Sequence, residues 1–198
     1  MTPLRQSFHL GTDLITRCPD AQIRFVVARG VRRAGTAPGP VGNPLAAGCR
    51  EVSARFGVPV RAFDPKYLDG VVTIRFAGEG DRNDGRGEYG SPGVTEIGEP
   101  VYACDRTVLT RLQDPGVEET ARITADAVDA ILALERIPGS PASAAPGSVS
   151  GATLLEAQWY LADLVRPYAD EVLLAVIEAE TPATRLAASE PGLSLGRR

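Results

Sequence analysis

Runs of β-branched and aromatic residues predict where the strands of this chain lie. The segment Gln22–Arg29 (QIRFVVAR) is rich in such residues and is followed by Gly30, so it predicts a buried strand. Val71–Phe76 and Glu99–Cys104 have the same character and predict two further strands. The stretch Val108–Leu112 follows closely after the second of these, and we expect it to return as a short strand.

Apolar side chains at helical spacing predict two helices. The first covers Pro44–Phe56, where Asn43 can serve as the N-cap and Gly57 follows at the position that favours a left-handed residue. Its apolar residues recur at steps of four, three and four along the chain: Leu45, Cys49, Val52 and Phe56. The second helix is predicted at Leu154–Tyr168, with Trp159 beside its apolar stripe.

Glycine, proline and small polar residues mark the connections. The segment Gly78–Gly98 contains seven glycines and is predicted to be a hairpin loop, or alternatively a loop that folds over the entrance of a pocket. It contains neither a phosphate-binding glycine motif nor the ligand spacing of a calcium loop. Glu118–Glu135 is compatible with a helix, and its part Asp129–Leu134 is equally compatible with a strand.

Together these elements predict an α+β fold with a central mixed or antiparallel sheet and helices packed on it. The 198 residues fit one domain, which we place at residues 1–180, followed by a flexible C-terminal tail at 181–198. The net charge of −4 argues against unaided nucleic-acid binding, since duplex affinity depends on neutralising phosphates. The longest apolar run, Val172–Ile177, is too short to span a membrane, and the N-terminus lacks the apolar core of a signal peptide. We therefore expect a cytoplasmic protein with no membrane partner.

Residues that commonly carry catalysis or bind metals are few. His9 is the only histidine and lies near the terminus, so we expect it on the surface or in packing, and we expect no metal site. Cys49 lies on the apolar stripe of the first helix and should be buried and inert. Cys104 precedes Asp105, whose carboxylate would raise the pKa of the thiol and so disfavour a reactive thiolate.

Carboxylates and arginines at strand ends are the remaining candidates. Glu96 and Glu99 could form a carboxylate pair for acid–base chemistry, although such pairs are common on solvated surfaces. Arg29 ends the first predicted strand, where it could bind a substrate carboxylate with both guanidinium nitrogens, or simply be solvated. No motif assigns a catalytic residue, and no cofactor is expected.

Four sequence blocks, taken in their order along the chain, resemble one known family. They are FVVARGV (Phe25–Val31), NPLAAGCREVSARFGV (Asn43–Val58), LDGVVTIRFAGEGD (Leu68–Asp81) and GEPVYACD (Gly98–Asp105). In this order they resemble stand-alone proteins of the B3/B4 type, the module that edits tRNA in the phenylalanyl-tRNA synthetase β subunit. The resemblance continues more weakly through Ala121–Gly139 and ends in Val149–Tyr168.

The resemblance implies an α+β module with a pocket for an amino acid or for the aminoacyl end of a tRNA. It also implies that Asp129–Leu134 is a strand. On this basis we expect the ligand-binding residues on the strands and on the loop between them: Arg29, Arg75, Glu88, Glu96, Glu99 and Tyr102. The implied function is a small amino-acid or aminoacyl-binding protein, in which case any enzymatic activity would be that of an aminoacyl-tRNA deacylase.

Two segments depart from the family pattern. Gly57–Asp69 is too short to hold the insert, with its helix, that usually precedes the strand at Val71–Phe76. Thr110–Glu119 lacks tryptophan and carries extra acids where the family has a run rich in arginine and tryptophan. Since both segments would contact tRNA and ligand, tRNA binding is expected to be weakened.

These departures leave two other functions open. One is a small-molecule biosynthetic enzyme, such as a cyclase, isomerase or lyase of actinobacterial secondary metabolism, that reuses the scaffold. Its motivation is the acidic charge together with the Arg-, Ala-, Gly- and Pro-rich composition. The other is a non-catalytic partner protein, because the missing insert would expose an apolar sheet face that a homodimer could cover.

Overall fold

A computed structural model describes residues 4–32, 44–83, 96–112, 127–138 and 150–187 of the chain. The three α-helices are α1 (Thr12–Arg17), α2 (Pro44–Phe56) and α3 (Gly151–Val165). The strands are β1 (Arg5–Leu10), β2 (Gln22–Arg29), β3 (Val60–Phe63), β4 (Val71–Phe76), β5 (Arg82–Asn83), β6 (Pro100–Cys104), β7 (Thr107–Arg111), β8 (Asp129–Arg136), β9 (Glu171–Glu178) and β10 (Ala183–Ala187). Short 3₁₀ turns occupy Pro65–Tyr67 and Arg166–Tyr168.

The strands form two sheets. The first, which we call the mixed sheet, has the order β10-β1-β4-β6-β7-β5, and its pairs β1/β4 and β5/β7 are parallel. The second, the antiparallel sheet, has the order β3-β8-β2-β9. The α+β class predicted from the sequence is therefore confirmed, with two sheets in place of one central sheet.

The antiparallel sheet is covered on both faces, which makes it the middle layer of the fold. Val26 and Ala28 of β2 pack with α2 and α3, whereas Phe25 and Val27 of the same strand pack with the mixed sheet. Since both faces of β2 are buried, its sequence is a nearly continuous apolar run and does not alternate with polar residues. Aromatic contacts between the sheets include Phe8 against Phe25, with ring centroids 4.7 Å apart.

The elements with the clearest sequence patterns lie where they are predicted. The strand Gln22–Arg29 and the helix Pro44–Phe56 have the predicted bounds, and Gly57 adopts the predicted left-handed conformation with φ of 64°. The open choice at Glu118–Glu135 is resolved in its described part, where β8 is the strand that the family resemblance implies. Asn43 lies outside the described residues.

Several elements lie where the sequence pattern predicts none: β1, α1, β3, β5 and β10. Among them, β3 is four residues long and β5 only two, so neither can show a clear periodicity. The expected flexible tail from residue 181 is also corrected, because Ala183–Ala187 forms β10 and pairs with β1. Leu186 of this strand is buried between the layers, which a solvated tail would not allow.

Side-chain hydrogen bonds cap the N-terminus of helix α3 and attach the helix to the antiparallel sheet. Ser150 caps its N-terminus by accepting the N–H of Thr153 at 3.0 Å. Gln158, in the middle of the helix, is buried and donates to the carbonyl oxygens of Phe25 and Ala175 at 2.9 and 3.0 Å. The helix is thus tied to β2 and β9 as well as packed on them. Across the described ranges, no helix combines the length and apolar character needed to cross a membrane.

Candidate functional site

A small group of polar side chains is buried between the two sheets. Arg61 of β3 and Glu135 of β8 project from the antiparallel sheet, and Tyr102 of β6 and Thr110 of β7 project from the mixed sheet. We call these four residues the interior cluster. All four are buried, and they lie among aromatic and aliphatic side chains of the same core. Buried charges in such a place are costly unless they are paired, so their contacts decide what the group can do.

The centre of the interior cluster is an ion pair. Arg61 Nε donates to Glu135 Oε1 at 3.1 Å, and the two side chains are only 5% and 3% exposed. Arg61 Nη1 also donates to Thr110 Oγ1 at 3.5 Å, which joins the two sheets through a polar contact. The guanidinium is therefore held between a carboxylate and a hydroxyl.

Tyr102 completes the interior cluster. Its ring lies against Phe63, with centroids 5.1 Å apart, and the whole residue is buried. Among the residues that the structure describes, none gives its Oη a hydrogen bond of standard geometry. Burial raises the pKa of this phenol well above its usual value, and the nearby Glu135 carboxylate raises it further. Tyr102 is therefore a neutral O–H group directed into a low-dielectric site.

Glu135 has an altered acidity as well. Burial raises the pKa of its carboxyl above the ordinary value, and Arg61 and Tyr102 oppose that shift only in part. A buried carboxyl with a raised pKa beside a neutral phenol is an arrangement that occurs at proton-transfer and ligand-binding sites. The interior cluster thus offers a cation, a carboxyl group and two hydroxyls within one small volume.

Of the six residues proposed from the sequence, only Tyr102 belongs to the interior cluster. Arg29 is at the end of β2, where Nη1 lies 3.3 Å from Glu171 Oε2 and Nε lies 3.8 Å from Asp129 Oδ1. These contacts tie together the ends of three neighbouring strands. Glu88 lies outside the described residues.

Arg75 lies on the opposite face of the mixed sheet from Tyr102. Its two terminal nitrogens bind both oxygens of Asp81, at 2.6 and 2.8 Å, and one of them also donates to the carbonyl of Asp105 at 2.7 Å. The hydrogen bond to Arg75 lowers the pKa of Asp81, and Gly78 N–H binds the same carboxylate. This network fixes the start of the loop after β4.

Glu96 and Glu99 lie close together, but the contact between them is a hydrogen bond from a backbone N–H to a carboxylate. Their two carboxylates are not paired with each other by this contact. Glu99 is buried, and its Oε2 accepts the backbone N–H of Glu96 at 3.1 Å, while its Oε1 lies 3.8 Å from Arg111 Nε. Glu96 itself is exposed. Within the described residues, the contacts of Glu99 thus stabilise the turn that leads into β6.

The thiols and the histidine follow the sequence predictions. His9 is exposed on β1. Cys49 is fully buried, and burial raises the pKa of its thiol to about 12. Burial, followed by the carboxylates of Asp105 and Asp69, raises the pKa of the Cys104 thiol to about 11. In the described ranges, no three His, Cys, Asp or Glu side chains are arranged to hold a metal ion.

Arg61, Thr110 and Glu135 are not among the site residues predicted from the sequence. Both charged residues could have been found as a charge within an apolar segment. Arg61 lies between Val60 and Ala62. Glu135 follows Ile131 and Ala133 on the same face of β8. A charged side chain at a core-facing position needs a partner on a neighbouring element. Because β3 is only four residues long, its local pattern does not predict a strand, and the core-facing position of Arg61 is not apparent from the sequence.

Comparison with known proteins gives a resemblance in fold. No family model matches the chain, and no curated protein matches it in sequence. Among solved structures, an N-terminal fragment of the phenylalanyl-tRNA synthetase β subunit from Pyrococcus horikoshii matches with a TM-score of 0.52 and 11% sequence identity. The match covers 84% of this chain and 49% of that fragment, so the chain spans about half the length of the structure it resembles. The structural resemblance expected from the sequence blocks is thereby confirmed at the level of the fold.

Proposed function

We propose that the protein binds an amino acid or an aminoacyl group at the interior cluster. The observation that carries this proposal is the buried Tyr102 Oη, which has no hydrogen bond of standard geometry within the described residues although it lies beside Glu135. Tyr102 still interacts with the Glu135 carboxyl closely enough to lower the pKa of that group. A ligand oxygen beside Oη would give the phenol a hydrogen bond of better geometry, and buried polar groups that gain such a bond are stabilised.

The chemistry of the interior cluster matches that of an α-amino acid. A carboxylate or ester carbonyl would bind the guanidinium of Arg61 and the hydroxyl of Thr110, which already lie 3.5 Å apart. An ammonium group would bind Glu135, whose carboxyl is buried beside Arg61. The fold resemblance to a fragment of an aminoacyl-tRNA synthetase subunit supports the same class of ligand.

Access to the interior cluster requires local opening. The four side chains are buried, but β3 is an edge strand of its sheet and contributes Arg61. Edge strands separate from a neighbouring layer more easily than central strands do, because fewer contacts hold them. We therefore expect the ligand to select a minor conformation in which β3 moves away from β6 and β7, and this expectation predicts slow association.

The test is a binding measurement on the full chain. Calorimetry and thermal shift with the common amino acids and with non-hydrolysable aminoacyl-adenosine analogues should identify at least one ligand. Tyr102→Phe should weaken its binding about tenfold, because the substitution removes one buried hydrogen bond. Tyr160→Phe is the matched control, since the hydroxyl of Tyr160 binds Glu51 on the helix layer. Absence of binding in the wild type, or equal binding by Tyr102→Phe, would reject the proposal.

Hydrolysis of a bound aminoacyl ester is tested separately from binding. If the ligand is the aminoacyl end of a tRNA, the protein should release the amino acid from a mischarged tRNA faster than the uncatalysed rate. The assay uses tRNAs charged with several different amino acids, because the ligand is unidentified. Binding without release would identify a binding protein rather than a deacylase.

A small-molecule enzyme is the second candidate, favoured by the raised pKa of Glu135 beside the neutral phenol of Tyr102. A carboxyl group and a neutral phenol held side by side can serve as a general base and a general acid. Its test is exchange of carbon-bound protons with deuterated water, followed by NMR over a panel of amino and keto acids. Exchange that depends on Glu135, and is lost in Glu135→Gln, would favour this function over simple binding.

A further inference from the structure

The interior cluster brings one positive and one negative side chain into direct contact. Arg61 Nε lies 3.1 Å from Glu135 Oε1, and both side chains are almost fully buried. Thr110 and Tyr102 add hydroxyl groups without charge, since the raised pKa of Tyr102 keeps its phenol neutral. A ligand that enters this volume therefore meets a cation and an anion that compensate each other.

Other charges of the interior lie apart from the interior cluster. Within the described ranges, the charges that shift the pKa values of Tyr102 and Glu135 are those of Arg61 and of Glu135 itself. Arg61 and Glu135 therefore determine which ligand charges the site can compensate. The remaining buried charged residues of the described chain lie at the ends of strands: Arg29 at the end of β2, Asp64 directly after β3 and Glu99 directly before β6.

A ligand with a single charge does not match this ion pair. An N-acylated amino acid has a carboxylate for Arg61 but no cation for Glu135. An aminoacyl ester has an ammonium group for Glu135 but only an uncharged carbonyl oxygen for Arg61. In either case one charge enters a low-dielectric interior without its counter-charge, which is costly. A free α-amino acid carries both charges near neutral pH, so each is compensated and no net charge is added.

Resting on the proposed binding at the interior cluster, we infer that the ligand is a free α-amino acid bound as its zwitterion. Aminoacyl esters and N-acylated amino acids bind weakly because of their net charge. The ammonium group binds Glu135, and the carboxylate binds Arg61 together with Thr110, whose Oγ1 lies 3.5 Å from Arg61 Nη1. Since Thr110 belongs to the mixed sheet and the ion pair to the antiparallel sheet, the ligand also joins the two sheets.

Calorimetry on the full chain at pH ~7 tests this inference with three forms of each common amino acid that has an uncharged side chain. They are the free acid, its α-amide and its N-acetyl derivative. The α-amide is a cation that replaces the less stable ester, and the N-acetyl derivative is an anion. For at least one side chain the free acid should bind. Its two derivatives should bind at least about thirtyfold more weakly, because each leaves one buried charge uncompensated.

The possible outcomes separate the zwitterion from the proposed function. An α-amide or an N-acetyl derivative that binds as tightly as the free acid overturns the zwitterion and leaves binding at the interior cluster standing. If none of the three forms binds, the zwitterion is likewise overturned. The proposed function then stands only if an aminoacyl-adenosine analogue binds.

A substitution in the ion pair should change which ligand charge the site prefers. Glu135→Gln removes the negative charge at nearly constant volume, so Arg61 loses its contact with a carboxylate. The N-acetyl derivative supplies an anion and has no ammonium group that would need Glu135. The ratio of its Kd to that of the free acid should therefore fall at least about tenfold in this variant.

Glu99→Gln is the matched control for this substitution. Glu99 is also buried, and its Oε1 lies 3.8 Å from Arg111 Nε. Arg111 pairs with Val101, on the face of the mixed sheet opposite Tyr102, so this carboxylate is outside the interior cluster. The ratio in Glu99→Gln should equal that of the wild type. Circular dichroism melts show whether each variant is folded. An unchanged ratio in folded Glu135→Gln would overturn the inference, and if that variant does not fold, the wild-type comparison decides.

Discussion

At the scale of single residues, the ion pair between Arg61 and Glu135 is the most demanding feature of the interior. Both side chains are almost fully removed from water, and the guanidinium lies 3.1 Å from the carboxylate. Burial of such a pair costs nearly as much as the mutual attraction returns, so the pair contributes little net stability. Removing one partner destabilises the fold strongly, because the remaining charge stays buried without compensation.

Arg61→Met should therefore destabilise the protein by about 3–5 kcal/mol at neutral pH. The loss should depend on pH in a defined direction. Burial already raises the pKa of Glu135, and removing the cation raises it further. A carboxyl whose pKa is higher in the folded than in the unfolded chain stabilises the fold below its unfolded pKa and loses that contribution as pH rises through the folded pKa. Urea unfolding of the variant should thus show a smaller loss near pH ~4 than near pH ~8.

Two further variants make this prediction specific. Arg50→Met makes the same chemical change at an exposed position of α2 and should alter stability by less than about 0.5 kcal/mol. The double variant Arg61→Met/Glu135→Leu should recover most of the lost stability, because no buried charge remains. A loss in Arg61→Met that is independent of pH would show that its origin is packing and not the charge of Glu135.

At the scale of elements, the docking of α3 depends on one polar side chain. Gln158 is buried, donates to two strand carbonyls and accepts a hydrogen bond from Arg24 Nη1 at 3.0 Å. Gln158→Ala should cost about 2–4 kcal/mol, since it leaves these groups without their partner and opens a small cavity. Glu156→Ala, on the exposed face of the same helix, is the control and should be nearly neutral. Equal costs for the two variants in chemical denaturation would contradict this role.

The two left-handed glycines that follow β2 and α2 differ in their surroundings. At Gly30, with φ of 60°, an added Cβ would lie 2.4 Å from Asp170 Oδ2, whereas at Gly57, with φ of 64°, nothing lies within 4 Å. Gly57→Ala should therefore cost only the backbone penalty of about 1 kcal/mol. Gly30→Ala should cost about 2 kcal/mol, because Asp170 must also move and give up its contact with Arg32. Thermal melts of the two variants side by side check the difference.

These elements also show what the sequence can predict. The helix at Pro44–Phe56 and the strand at Gln22–Arg29 follow from local spacing, because each carries its own stripe or run of buried residues. Strand β3 does not follow from local spacing, because it is only four residues long. It also carries Arg61, whose partners Glu135 and Thr110 are 74 and 49 residues away along the chain. The interior cluster depends on the pairing of two sheets, and no local pattern specifies that pairing.

At the scale of the whole molecule, the antiparallel sheet couples all layers, since β2 packs on helices with one face and on the mixed sheet with the other. The fold resemblance to a longer synthetase fragment shows that this arrangement is compatible with very different sequences. It follows that the layers should unfold together, as expected for one domain. Far-ultraviolet dichroism and Trp159 fluorescence should therefore report the same transition, and two separate transitions would show that the layers are independent.

The C-terminal boundary of the domain can be located by truncation. A chain that ends at residue 180 lacks β10, and with it the pairing to β1 from Arg5↔Ala187 to His9↔Ala183. It also loses Leu186, which is buried against the core between the sheets, so β1 becomes an edge strand and apolar area is exposed. We expect a loss of at least about 3 kcal/mol relative to a chain that ends at residue 187, because a buried leucine alone contributes about 2–5 kcal/mol.

Leu186→Ala in the full chain should reproduce a large part of that loss, whereas Arg185→Ala, at an exposed position of the same strand, should not. Equal stability of the two truncated chains would show that β10 does not contribute to the folded domain and that its boundary lies at residue 180.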